Sequence, residues 1–124
     1  MNVVDSCGWL EYFANASNAE FFTPAIRDEA NLLVPSVCLY EVFKRICQQQ
    51  GKQAALEGVS RLYRGTIIAM NDGLALQAAQ LSLTHNLPMA DSIILATARA
   101  QNAILWTQDE HFKNIEGVKY IEKK

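Results

Sequence analysis

Short apolar runs along this chain alternate with longer stretches in which apolar residues recur at helical spacing. Asn2-Val3-Val4, running into Asp5, reads as a first strand. Asp5 or Ser6 then caps a helix whose Trp9, Leu10, Tyr12 and Phe13 form an apolar face. Asn15 to Asn18 read as a turn. Phe21, Phe22, Ala25 and Ile26 recur at helical spacing, with Pro24 expected in the first turn and the helix ending near Glu29. Leu32-Leu33-Val34, bounded by Asn31 and Pro35, reads as a second, buried strand. Ser36 is expected to cap a helix beginning at Val37, with Leu39, Tyr40, Phe43, Ile46 and Cys47 as its stripe and Gly51 as its stop. A further helix covers Lys52 to about Tyr63.

Gly65 breaks that helix, and Thr66 to Met70 reads as a third strand. Asn71 or Asp72 caps a helix carrying Leu74, Leu76, Ala79, Leu81 and Leu83, which ends at Asn86. Pro88 suits the first position of the next helix, which carries Ile93, Ile94, Leu95, Thr97 and Ala98. Ala103 to Trp106 is the fourth strand and Val118 to Ile121 the fifth. Strands alternating with helices imply crossover units and a parallel sheet. The expected class is α/β: a three-layer α/β/α sandwich around a mostly parallel five-stranded sheet. Neither an internal repeat nor a linker divides the sequence, so residues 1–124 are read as one domain.

Composition narrows the function. Half of the residues are hydrophobic and 19% are charged, which is ordinary for a globular chain. The net charge of −2 argues against a module that merely coats nucleic acid, which would be basic. It leaves room for a nuclease in which carboxylates hold a cation against the phosphate. Cys7, Cys38 and Cys47 are odd in number and lack metal-ligand spacing, so reduced thiols are expected. Cys7 as a nucleophile would need a base, and only His85 and His111 are available. The opening MNVVDSCGWL has neither the charged nor the apolar region of a signal peptide. No run approaches the roughly 18 apolar residues that span a bilayer. A cytoplasmic protein with no membrane partner is the expectation.

In parallel α/β sheets, ligands bind beyond the carboxyl ends of the strands. Asp5 closes the first strand, and Asp109 lies just beyond the fourth. Asp91 falls in the first turn of the helix near Pro88, and Glu41 early in the helix after the second strand. Each has an ordinary structural explanation. Asp5 and Asp109 suit caps, Glu41 can pair with Arg45, and Asp91 suits a helix N-terminus. Together, four acids at one edge suggest a shared purpose. Crowded carboxylates raise one another's pKa unless a cation neutralises them. Oxygen ligands without His or Cys suit Mg²⁺ or Mn²⁺, and such ions activate water and stabilise charge in phosphodiester hydrolysis.

Four segments carry a family likeness: Val3-Val4-Asp5-Ser6, Leu39-Tyr40-Glu41-Val42, Pro88 through Ala98, and Trp106-Thr107-Gln108-Asp109-Glu110-His111-Phe112. In order and spacing they resemble the PIN domain, and within it the VapC-type toxins. The likeness covers essentially the whole chain. The Ala90 to Ala98 stretch and the Thr107-x-Asp109-x-x-Phe112 ending are its most specific parts. The resemblance implies a metal-dependent endoribonuclease whose acidic quartet is Asp5, Glu41, Asp91 and Asp109. Ser6 and Thr107 match polar positions beside that quartet. It also implies a homodimer and a small VapB-like antitoxin that holds the toxin inactive.

Lys44, Arg45, Lys52, Arg61, Arg64 and Arg99 are candidates for RNA phosphate contact, or else solvated helix charges. Trp9, Tyr12, Phe13, Phe21 and Phe22 could form a partner groove or simply pack inside. His111 reads as a surface residue more readily than as a catalytic one. A receiver domain would want paired acids after the first strand and a well-placed Lys near the last. A haloacid-dehalogenase phosphatase would want Asp where Cys7 stands. The remaining alternatives are a PIN-fold scaffold without turnover, and a PIN nuclease of RNA processing outside any toxin–antitoxin system.

Overall fold

The computed structural model describes residues 1–124. Strand β1 (Asn2–Val4) leads into α1 (Ser6–Phe13) and α2 (Ala19–Arg27). After a 3-10 turn (Glu29–Asn31), β2 (Leu32–Pro35) leads into α3 (Ser36–Gln50) and α4 (Lys52–Leu62). Strand β3 (Thr66–Ile68) precedes α5 (Asp72–His85) and α6 (Met89–Ala100). Strand β4 (Ile104–Thr107) passes through a second 3-10 turn (Glu110–Phe112) to β5 (Val118–Tyr120).

The strands lie in the order β3-β2-β1-β4-β5, and every pair is parallel. The expected three-layer α/β/α class therefore holds, with a sheet that is wholly parallel. The chain first builds outward from β1 through β2 to β3, then returns to place β4 on the other side of β1. This reversal makes the β1–β4 boundary a topological switch point, where a crevice opens beyond the strand ends. The register pairs Val4 with Trp106, and the Asp5 N–H donates to the Trp106 carbonyl at 3.2 Å. The residues that follow the two strands therefore emerge side by side.

Helices cover both faces of such a sheet, so its strands read as continuous apolar runs. Val3, Val4, Leu32, Val34 and Leu105 are wholly inaccessible and form the centre of the core with Trp9, Phe22, Ile26 and Phe112. Helix α6 packs against β1, β2, β4 and α5, and Ser92 to Ala98 are all buried. Its two buried hydroxyls bond within the helix: Ser92 Oγ donates to the Met89 carbonyl at 2.7 Å and Thr97 Oγ1 to the Ile93 carbonyl at 2.8 Å. No helix is long and apolar enough to cross a membrane.

Local expectations shift in several places. Helix α2 begins at Ala19, so Pro24 falls inside it rather than in its first turn. Pro24 and Glu20 are exposed, so the missing backbone bond lies on the exposed side, where its loss costs least. Ser36 is the first residue of α3 and does not cap it; Pro35 holds that position without a side-chain bond. Pro88 likewise precedes α6 rather than opening it. The cap of α1 is Asp5, not Ser6, and that of α5 is Asn71, which accepts from the Leu74 N–H at 2.9 Å. The apolar stripe of α5 divides: Leu74 is buried, whereas Leu76 and Leu83 are 72% and 87% exposed.

Candidate active site

Asp5, Glu41, Asp91 and Asp109 line one cavity of about 920 Å³ at the carboxyl edge of the sheet. Asp5 leaves β1 and is buried. Its Oδ1 accepts from the Gly8 N–H at 2.8 Å, which caps α1, and its Oδ2 accepts from Thr107 Oγ1. Glycine is required at position 8: a Cβ there would stand 2.6 Å from Phe22 Cε1 and 2.7 Å from Val4 Cγ1. Thr107 also accepts from the Asp109 N–H at 2.9 Å, so one hydroxyl ties the ends of β1 and β4 together. Glu41, on the first turns of α3, is oriented by Ser6, whose Oγ donates to its Oε1 at 2.6 Å. Ser6 and Thr107 therefore each hold one of the four acids.

Asp91 lies in the first turn of α6, where the helix dipole favours an anion. Asp109 caps the second 3-10 turn by accepting from the His111 N–H at 2.9 Å. The His111 ring returns over both: its Nδ1 is 3.1 Å from Asp91 Oδ2 and 3.0 Å from Asp109 Oδ1. From the sequence, His111 is expected on the surface. The ring is half exposed, yet it bridges two of the four acids. No local pattern marks this bridge, because the contact with Asp91 forms only when α6 and β4 come together.

Burial pushes the Asp5 carboxyl up to about 7, with Asp91 and Asp109 adding to the effect and the Thr107 and Gly8 hydrogen bonds opposing it. Asp91 is pushed up to about 6, first by burial and then by Asp109, against the pull of His111. The His111 imidazole is raised, chiefly by Asp109. Partial withdrawal of the Cys7 thiol into the cavity, followed by the charges of Asp5, Asp109 and Asp91, raises it to about 12. Although Cys7 reaches solvent, this upward shift disfavours the thiolate that a nucleophile needs.

A divalent cation fits this arrangement. It would relieve the mutual repulsion of the acids and the burial cost of a charged Asp5. Asp91, Asp109 and His111 can bring ligand atoms within 4.8 Å of one another, and so can Asp5, Cys7 and Asp109. Asp109 belongs to both groups. Glu41 lines the same cavity but belongs to neither.

Of the basic residues expected near RNA, only Lys44 and Arg45 line this cavity. Arg61 and Arg64 both pair with Glu29, at 2.9 and 2.8 Å. Arg99 donates to the Glu116 carbonyl at 3.1 Å. Trp9 and Phe22 are core residues, and Phe21 is partly buried against that core, whereas Tyr12 and Phe13 also line a second cavity of about 620 Å³ together with Pro24 and Arg27. One network escaped sequence reasoning altogether. Buried Asn18 donates to Gln108 Oε1 at 3.0 Å, and Gln108 donates to Glu11 Oε1 at 3.1 Å. It braces the residue between Thr107 and Asp109 from behind, across a sequence separation that no local pattern reveals.

The fold recurs in solved structures. A toxin–antitoxin complex from Klebsiella pneumoniae superposes with a TM-score of 0.82 at 22% identity, covering 96% of each chain. VapC20 from Mycobacterium tuberculosis, described as a sarcin–ricin loop cleaving toxin, gives 0.76 at 15% identity over 94% of this chain and 95% of that one. VapBC2 from Rickettsia felis, bound to a DNA fragment from its promoter, gives 0.74 at 16% identity over 98% and 97%. No curated protein matches by sequence. The profile of the PIN domain matches residues 3–118, and so spans all four acids, Ser6 and Thr107. This chain belongs to the PIN domain family.

Proposed function

We propose that this protein is an Mg²⁺- or Mn²⁺-dependent endoribonuclease that hydrolyses RNA phosphodiester bonds as the toxin of a toxin–antitoxin pair. The observation that carries the reading is the gathering of Asp5, Glu41, Asp91 and Asp109 around one cavity, with Asp5 buried, in a member of the PIN domain family. The toxin role draws support from the similar folds of VapC20 and of the toxin–antitoxin complexes. In this reading residues 1–124 act as one PIN domain in the cytoplasm. They pair as a homodimer and are restrained by a VapB-like antitoxin.

Asp5, Asp91 and Asp109 would hold the cation, with Glu41 beside them. Once bound, a hard divalent cation supplies Lewis-acid stabilisation of the charge that builds on the phosphodiester oxygens. The protein's own groups do the rest. Thr107 and Gly8 fix both oxygens of Asp5, so its carboxylate is oriented before substrate arrives. Ser6 occupies Oε1 of Glu41, and Oε2 takes the proton of the attacking water. Lys44 and Arg45, one turn further along α3, meet the flanking phosphates.

The test is cleavage of a mixed pool of structured and single-stranded RNA with Mg²⁺, Mn²⁺ or EDTA, with growth followed on expression without an antitoxin. Wild-type protein is expected to cut only with metal and to slow growth. Asp91→Asn is expected to stay folded while losing both effects. Near-wild-type cutting by that variant would overturn the site assignment, and harmless expression of an active enzyme would overturn the toxin role.

A further inference from the structure

Among the features outside the acidic quartet, the His111 ring is the one best placed to alter the chemistry of this site. We infer that His111 is a nitrogen ligand which, with Asp91 and Asp109, makes this centre select first-row transition-metal ions over Mg²⁺. The inference rests on the metal-nuclease reading above and deepens it by naming the class of cation.

Two observations carry it. The Nδ1 atom lies 3.1 Å from Asp91 Oδ2 and 3.0 Å from Asp109 Oδ1, so one cation displacing those contacts would meet all three atoms. Backbone structure also fixes the point from which the ring reaches the two acids. Asp109 caps the turn through the His111 N–H, and wholly buried Phe112 anchors the next position. A donor set that is oxygen-only in the sequence thus has an imidazole nitrogen at its flank.

That nitrogen changes the preference. Mg²⁺ takes oxygen ligands and parts reluctantly with its water, so an imidazole adds little to its binding. Transition ions accept imidazole readily, and their affinity for nitrogen-bearing sites rises from Mn²⁺ to Co²⁺. An ordinary surface ion pair between His111 and the acids would not distinguish these ions. It would compete with all of them alike.

The experiment is direct metal binding to the full chain stripped of metal. Mn²⁺ is followed by the electron paramagnetic resonance signal of the free ion, Co²⁺ by visible absorption, and Mg²⁺ by competition with Mn²⁺. Wild-type protein should bind Co²⁺ most tightly, then Mn²⁺, then Mg²⁺. His111→Ala, at an exposed ring, should keep the fold by circular dichroism. It should weaken Co²⁺ and Mn²⁺ by about tenfold or more, on the scale of lost metal-site partners, and leave Mg²⁺ nearly unchanged. An unchanged ratio among the three ions in His111→Ala would overturn the inference, whether all are weakened or none. Asp109→Asn separates the two readings. If it abolishes binding of every ion while His111→Ala leaves the ratio alone, the acidic site stands and only the role of His111 falls. If Asp109→Asn binds all three ions as wild type does, both fall.

Discussion

The Thr107 hydroxyl does two jobs at one atom. It donates to the buried Asp5 carboxylate and accepts from the Asp109 N–H. Thr107→Val keeps the shape and leaves both partners short of a bond. Leaving a buried polar group unpaired costs about 1–3 kcal/mol, so the variant should lose that much in urea denaturation and bind metal more weakly. Stability equal to wild type would mean that water replaces the hydroxyl. At this scale the acids themselves were legible, because each stands at a strand end or a helix start whose position follows from local pattern. His111 and Cys7 were not. What matters about them is which atoms their side chains approach, and that depends on α6 and β4 coming together.

Helix α5 shows where periodicity misleads. Its leucines and alanines are spread around the helix, and helical spacing alone joins Leu74, Leu76, Ala79, Leu81 and Leu83 into one stripe. Only the side toward α6 is covered, so Leu74 is buried and Leu83 is 87% exposed. Leu74→Ala is expected to cost about 2–5 kcal/mol, as large-to-small changes in a core do. Leu83→Ala should alter stability by no more than about 0.5 kcal/mol, as at ordinary surface sites. Equal losses in chemical denaturation would show that the exposed side of α5 is covered in solution. The adjacent helix α6 was the easier case. Burial on nearly all sides requires an almost uninterrupted apolar run, and Ser92 to Ala98 supply one with two hydroxyls that bond to their own helix.

For the molecule as a whole, the acids at the switch point set the dependence of stability on pH. Asp5 is raised to about 7 and Asp91 to about 6, whereas both would titrate near 3.8 in the unfolded chain. Between those limits the folded state holds more protons than the unfolded one, so stability falls as pH rises. His111 acts in the same direction: its raised pKa contributes stability at low pH that is lost as pH climbs through the folded value. Without metal, the urea midpoint should therefore fall as pH rises from about 4 to about 7, with the raised His111 carrying the decline further above its ordinary 6.5. Saturating Mn²⁺ should restore it most at the alkaline end, where fewer protons compete for the carboxylates. A midpoint that rises with pH in EDTA would contradict the buried, cation-free Asp5. The order of strands and helices, the class of the fold and the four acids were all determined by the sequence alone. Hydrophobic period and strand-end position are local properties, and each survives whatever the rest of the chain does. The boundaries of α2 and α3, the open side of α5, the Asn18–Gln108–Glu11 brace and the His111 bridge were decided only in the tertiary structure. Each depends on which surfaces are covered and on contacts between residues distant in sequence, and the parallel sheet creates these when it sets β4 beside β1.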